Sequence, residues 1–172
     1  KRQNTYWPAM HECSVPFFLT PGNREAAEKF GIYIGGSHCE PMACSTAGEW
    51  NRRGKGDYDY VKNSSSVCHF WEERLKEVSE QEILYTVGMR GVHDGQMQGA
   101  KTVEEQKAVL ERVLKDQRDL LRKYVNKDVE AIPQVFIPYK EVLDIYRAGL
   151  EVPEDVTPVS YTHLRSPRDR SL

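Results

Sequence analysis

No stretch of this chain approaches the roughly 18 consecutive apolar residues of a membrane-spanning helix. Neither sign of charge dominates. Lysine and arginine number 24 against 26 aspartates and glutamates, a net charge of −2. Bulk charge therefore points to no nucleic-acid partner and no membrane surface. Cysteine is scarce, with four in 172 residues, and Cys13, Cys39, Cys44 and Cys68 form no C-x-x-C pair. That excludes a disulfide-dense scaffold. His38 adjoins Cys39 and lies near Cys44, but the spacing matches no usual zinc set. Buried free thiols, and no metal, are the expectation. No Gly-x-Gly-x-x-Gly follows an apolar run, which argues against a dinucleotide site. Gly54-Lys55-Gly56 lacks the rest of a phosphate-binding loop and reads as a turn. No cofactor is expected.

What the chain does have is an alternation of short apolar runs with longer amphipathic ones. Residues 24–30 read as a helix stopped by Gly31, and residues 32–34 as a strand. Residues 64–78 read as a helix, with Val67, Phe70, Trp71, Leu75 and Val78 near helical spacing. Residues 83–87 read as a buried strand. Thr102 and Glu105 have capping-box spacing and open the clearest helix, which gathers Arg122, Lys123 and Lys127 at its end. Pro133 precedes a strand over 134–137. A helix over 142–148 stops at Gly149, and residues 151–157 lead into another strand. This βαβαβα order predicts a parallel sheet with right-handed crossovers. The fold class is α/β, and the strands fit part of a (β/α)8 TIM barrel, roughly three to four βα units.

Each strand runs into polar residues. The first offers Ser37, His38 and Glu40, the second Arg90, His93 and Asp94, the third Tyr139 and Glu141. Residues 6–11, from Tyr6 and Trp7 to His11, could be a fourth. In a parallel barrel these ends converge on one face, where chemistry sits. Carboxylates, an arginine, histidines and aromatics suit a carbohydrate. Glycosidic cleavage needs two carboxyl groups flanking the bond, and an arginine can clamp a substrate carboxylate. Blander readings stand beside these. Arg90 and Asp94 could be a structural ion pair at i, i+4. His38 could cap backbone after a Gly-Gly turn. Glu141 could be only the acid at a helix N-terminus, favoured by the dipole. Trp7 and Trp71 read as packing residues, and Lys115, Lys123 and Lys127 as a solvated helix face.

Several longer motifs carry a resemblance. They are Trp7-Pro8-Ala9-Met10, Ser37-His38-Cys39-Glu40-Pro41-Met42, Glu49-Trp50-Asn51-Arg52, Tyr85-Thr86-Val87-Gly88-Met89-Arg90-Gly91-Val92-His93-Asp94, Pro133-Gln134-Val135-Phe136-Ile137-Pro138-Tyr139-Lys140-Glu141-Val142 and Val152-Pro153-Glu154-Asp155-Val156-Thr157. Together and in this order they resemble the xylan α-1,2-glucuronidases of glycoside hydrolase family 115. The resemblance implies a large multidomain enzyme, often a homodimer, with a central (β/α)8 barrel. It implies removal of glucuronic or 4-O-methyl-glucuronic acid from glucuronoxylan or aldouronic oligosaccharides, with inversion. A secreted or periplasmic location would follow from a polymeric substrate.

Carried over residue by residue, the resemblance makes Glu141 the general acid and has Asp94 orient substrate or help activate water. Arg90 would hold the uronate carboxylate, and Tyr139 would contact the sugar. His38 and Glu40 fall in the motif at the pocket rim, and His93 joins the substrate-binding set. An arginine beside the acid would hold it ionised, so Arg90 is expected to point at substrate rather than at Glu141. Two departures stand out. Cys39 follows His38 where the family commonly doubles the histidine. After Thr157 the family's acidic, Asn-containing motif is replaced by Pro158-Val159-Ser160-Tyr161-Thr162-His163. A non-catalytic carbohydrate-binding or sensory module on the same scaffold is the alternative, and a barrel enzyme acting on another hexosaminide or uronide is a third.

The ends of the chain read differently from its middle. The first residues, Lys1-Arg2-Gln3, offer neither an initiator methionine nor a signal peptide. The aperiodic, basic residues 158–172 resemble translated adapter read-through. Residues 1–3 and 158–172 are therefore expected to be non-native scars, and residues 4–157 a partial catalytic barrel. Such a piece is expected to be inactive alone, because an open barrel leaves sheet edges unpaired.

Overall fold

The computed structural model describes residues 4–6 and 20–159, with residues 4–6 and Tyr33 described by their backbone only. Five parallel strands form one sheet in sequence order: β1 Asn4–Tyr6, β2 Ile32–Gly35, β3 Ile83–Val87, β4 Gln134–Phe136 and β5 Thr157–Pro158. Every neighbouring pair is parallel, with Ile34 opposite Ile83, Val87 opposite Phe136, and Val135 opposite Thr157. Each connection carries helix: α1 Asn23–Lys29, then α2 Glu49–Arg53 and α3 Tyr60–Val78, then α4 Val103–Tyr124, then α5 Glu141–Arg147. Parallel strands need such long crossovers, and sequential order places every strand's C-terminal end on the same edge. Backbone pairing continues past Thr157, since the Val159 N–H donates to the Phe136 carbonyl at 2.8 Å. Residues 7–11 and 160–172, including the possible fourth strand end, lie outside the described residues.

The helices arise from their ends and their apolar stripes. The Thr102–Glu105 capping box forms as its spacing predicts, and opens α4 at Val103. α3 starts at Tyr60, four residues before the predicted start at 64. The Asp59 carboxylate accepts from the Val61 and Lys62 N–H groups at 2.9 and 3.2 Å. A kink at Asn63, φ −135 and ψ 31, interrupts the first turn and hides its periodicity. α3 and α4 pack together through Val67, Trp71 and Leu75 against Leu110, Val113 and Leu121, all fully buried. Trp71 stacks on Tyr60 at 5.7 Å and is a core residue. The solvated face holds Lys115, Lys123 and Lys127, all exposed.

Gln117 is a polar group inside this core. Its side-chain amide donates to the Gly88 carbonyl at 2.9 Å and accepts from the Gly88 N–H at 2.7 Å. It thus pairs with Gly88 as a strand would, which satisfies backbone that the sheet has released. Gly88 itself sits at φ 95, where a Cβ would stand 3.0 Å from the Phe136 ring. This anchors the turn that leaves β3.

Candidate active site

Three loops leave the C-terminal edge of the sheet and meet. The loop after β2, residues 36–48, is mostly buried. The Glu40 carboxylate turns back to accept the Ser37 N–H at 2.9 Å. Burial pushes the Glu40 carboxyl up, against the hydrogen bonds from Ser37 that lower it. Thr86 on β3 donates to the Gly36 carbonyl at 2.7 Å and fixes where this loop starts. The loop after β3 is tightened by Gly91 N–H to Gly95 O and Gly95 N–H to Val92 O, both 3.0 Å. A Cβ on Gly91 would stand 2.2 Å from the Gln96 carbonyl, so no side chain fits there. The loop after β4 is short, and Lys140 takes φ 50 before α5 begins at Glu141.

Arg90 is the hub. It is 3 % exposed, and a buried guanidinium requires carboxylate partners. Its Nε donates to Glu141 Oε1 at 3.0 Å and its Nη2 to Oε2 at 2.7 Å, a two-pronged pair. Its Nη1 donates to Asp94. Lys140 donates to the other oxygen of Asp94. His38 Nε2 stands 3.1 Å from Asp94 Oδ1. Tyr139, 37 % exposed, leans on His38 at 4.7 Å, and Arg90 lies 5.5 Å from the same ring. A narrow cleft below the cluster is lined by His38, Gly88, Arg90, Phe136, Ile137 and Val142.

The charges follow from this packing. Burial pushes the Asp94 carboxyl up, but hydrogen bonds from Lys140 and His38 and the charge of Arg90 outweigh it. The net result lies below the usual carboxylate range. Burial pulls His38 below its ordinary value despite Asp94, and the charges of Arg90 and Lys140 add to that. A neutral His38 facing an ionised Asp94 must carry its proton on Nε2, because a carboxylate only accepts. Its Nδ1 lone pair can then accept from a hydroxyl or a water. Burial would lower Arg90, but Glu141 and Asp94 keep it raised. Lys140 is raised by its hydrogen bond to Asp94.

The structure gathers Arg90, Asp94, Glu141, Tyr139 and His38. Glu40 is turned into its own loop, and the His93 N–H donates to Thr46 Oγ1 at 2.8 Å while its ring Nδ1 is buried without a hydrogen-bond partner among the described residues. One expectation is corrected. Arg90 does not point away from Glu141; it forks onto it. The cause is burial, which demands a carboxylate for each edge of the guanidinium, and β4 delivers Glu141 to the edge that Asp94 leaves open. Lys140 joins the site although the sequence reading did not single it out. Its place between Tyr139 and Glu141 was the available signal. Of the metal-binding side chains, His38, Cys39 and Asp94 bring donor atoms within 4.8 Å of one another. Arg90 and Lys140 already hold the Asp94 oxygens, and that charge opposes a cation. Cys39 and Cys44 are buried free thiols, Cys68 is half-buried, and Cys13 lies outside the described residues.

The sequence model of glycosyl hydrolase family 115 matches residues 1–163. This chain belongs to that family. The family 115 match runs through residues 1–3 and 158–163 as well as the strands. A solved family 115 structure, BtGH115A, is a 4-O-methyl-alpha-glucuronidase with specificity for decorated arabinogalactans. It shares 77 % sequence identity at a TM-score of 0.84, covering 90 % of this chain and 20 % of its own. The chain therefore spans about a fifth of that protein's length. No curated protein matches this family 115 chain.

Proposed function

We propose that this chain supplies the acid and uronate-binding part of an α-glucuronidase, built as a segment of a (β/α)8 barrel. The reaction is hydrolytic removal of glucuronic or 4-O-methyl-glucuronic acid side chains from a plant polysaccharide. The observation that carries it is the meeting of Arg90, Asp94, Tyr139 and Glu141 at consecutive strand ends. The guanidinium matches a uronate carboxylate, the Tyr139 ring offers a sugar face, and in this reading Glu141 is the carboxyl that serves the leaving oxygen. Sequential parallel strands with helical crossovers support the barrel reading. In this reading Glu40 acts through its loop, and His93 keeps the substrate-binding role that its motif implies. Inversion is part of the proposal. It requires a second carboxylate across a water, about 6.5–9.5 Å from the acid.

The glucuronoxylan implied by the motifs and the decorated arabinogalactan of the 77 % identical structure share one leaving sugar. That identity favours arabinogalactan as the polymer. A polymer substrate places the enzyme outside the cytoplasm. The test is Glu141→Gln in the intact enzyme. It should lower kcat by roughly 10²–10⁴-fold, the usual contribution of a general acid, while glucuronate binding persists. Unchanged turnover would remove Glu141 from that role. A wild-type enzyme that binds uronate but releases none would favour a binding module.

A further inference from the structure

Four charges meet at the strand ends. Arg90 and Lys140 are the cations, and Asp94 and Glu141 are the anions. His38 packs beside them on Asp94 and Tyr139, and its burial favours the neutral ring. The cluster is therefore balanced. A uronate carboxylate arriving at Arg90 adds one negative charge beside two carboxylates. Like charges so close cannot all stay ionised without cost, and one of them binds a proton.

The geometry singles out which one. Asp94 is held three times, by Arg90, Lys140 and His38. Glu141 is held by Arg90 alone among the described residues, through the Nε–Nη2 edge. That edge presents two parallel N–H groups, the form in which a guanidinium grips a carboxylate. It is also the edge a uronate would need. Uronate and Glu141 compete for the same fork, while Asp94 keeps Nη1.

We infer that the substrate's own uronate carboxylate displaces Glu141 from Arg90 and so turns Glu141 from an ion-pair partner into the proton donor. This rests on the α-glucuronidase reading above. On substrate binding the Glu141 carboxylate takes one proton from solvent. That proton passes to the glycosidic oxygen as the bond from the anomeric carbon to that oxygen breaks. A water oxygen bonds to the anomeric carbon and its proton returns to solvent. Glu141 ends ionised, ready to re-pair with Arg90 when the uronic acid leaves. A substrate without the carboxylate would leave the acid locked.

Calorimetry of glucuronate binding to the intact wild-type enzyme, in buffers of different ionisation enthalpy, should show net proton uptake. The methyl ester of glucuronic acid should bind without it, and E141Q should bind glucuronate without it. Uptake that is absent in the wild type, or that persists in E141Q, overturns the inference. H38Q should keep the uptake, and its loss there would make His38 the group taking the proton and overturn the inference. Kinetically, aldouronic oligosaccharides esterified at the uronate should lose kcat by roughly 10²–10⁴-fold relative to the free acid, because general acid catalysis is lost. A rise in KM with kcat unchanged means that Arg90 serves binding only, and overturns the inference while the α-glucuronidase reading stands. No uronic acid from the free-acid substrate overturns both.

Discussion

The hydroxyl of Thr46 joins two loops: it accepts from the His93 N–H at 2.8 Å and donates to the Cys39 carbonyl at 3.2 Å. Thr46 and Cys39 are each 1 % exposed, so the Cys39 carbonyl has no water to turn to instead. One loop carries His38 and the other Arg90 and Asp94. The hydroxyl thereby sets the spacing of the His38–Asp94 contact from behind.

Thr46→Val keeps the shape and removes the hydroxyl. The buried Cys39 carbonyl and the half-buried His93 N–H then lose their partner, at a cost of about 1–3 kcal/mol. The melting temperature should fall. A Thr46→Ser variant, which keeps the hydroxyl, should restore most of the loss. Equal melting temperatures for Thr46→Val and the wild type would show that the loops hold each other by other means.

Arg74 and Glu49 form a buried ion pair, 1 % exposed each. Glu49 also accepts from Arg53 at 3.1 Å and from the Ser45 N–H at 3.0 Å, so it fixes the loop after β2. Arg74→Met leaves Glu49 with Arg53 and the Ser45 N–H as partners and should cost about 1–3 kcal/mol. Denaturant unfolding of both single variants and of Arg74→Met with Glu49→Leu would measure the coupling. The double variant should be more stable than the sum of the singles.

Gly88→Ala should destabilise by about 1–3 kcal/mol, the cost of a left-handed backbone in a residue with a side chain. The added methyl would press on Phe136 at 3.0 Å. The same turn carries Arg90, so activity should fall further than stability alone explains. Parallel measurement of the melting temperature and of kcat separates the two.

Acid should weaken the fold through Glu72 and Asp94. A hydrogen bond from Tyr124 and another from Lys123 hold Glu72 down to about 2, against an ordinary value of 4.5. Asp94 is held below its ordinary 3.8. Groups depressed in the folded state stabilise it above their ordinary values and lose that contribution as pH falls through the folded ones. Stability should therefore drop from about pH 4.5 downward. Asp94→Asn should flatten the part of that slope below 3.8, as urea midpoints across the acid range would show.

Much of the architecture is legible in the sequence. The capping box at Thr102, the apolar run 83–87 and the stop at Gly149 are local signals, and each element stands where they place it. α2 and the first turn of α3 were not readable. α2 is too short to show a period, and Asn63 breaks the period of α3. Of the candidate residues, Arg90, Asp94, Glu141, Tyr139 and His38 assemble, whereas the Glu40 carboxylate is taken up by its own loop and the His93 N–H ties its loop to Thr46 in the loop after β2.

By itself the sequence determined the βα alternation, the parallel sheet and the family, since local periodicity and motif order lie along the chain. Only the tertiary structure decided how the charges pair. Arg90 and Glu141 are 51 residues apart, and Lys140 and Asp94 46. Their partners are chosen by burial at neighbouring strand ends. At this cluster burial matches each charge to a counter-charge, whatever role the motif suggests, while Glu40 is satisfied by hydrogen bonds from Ser37 instead.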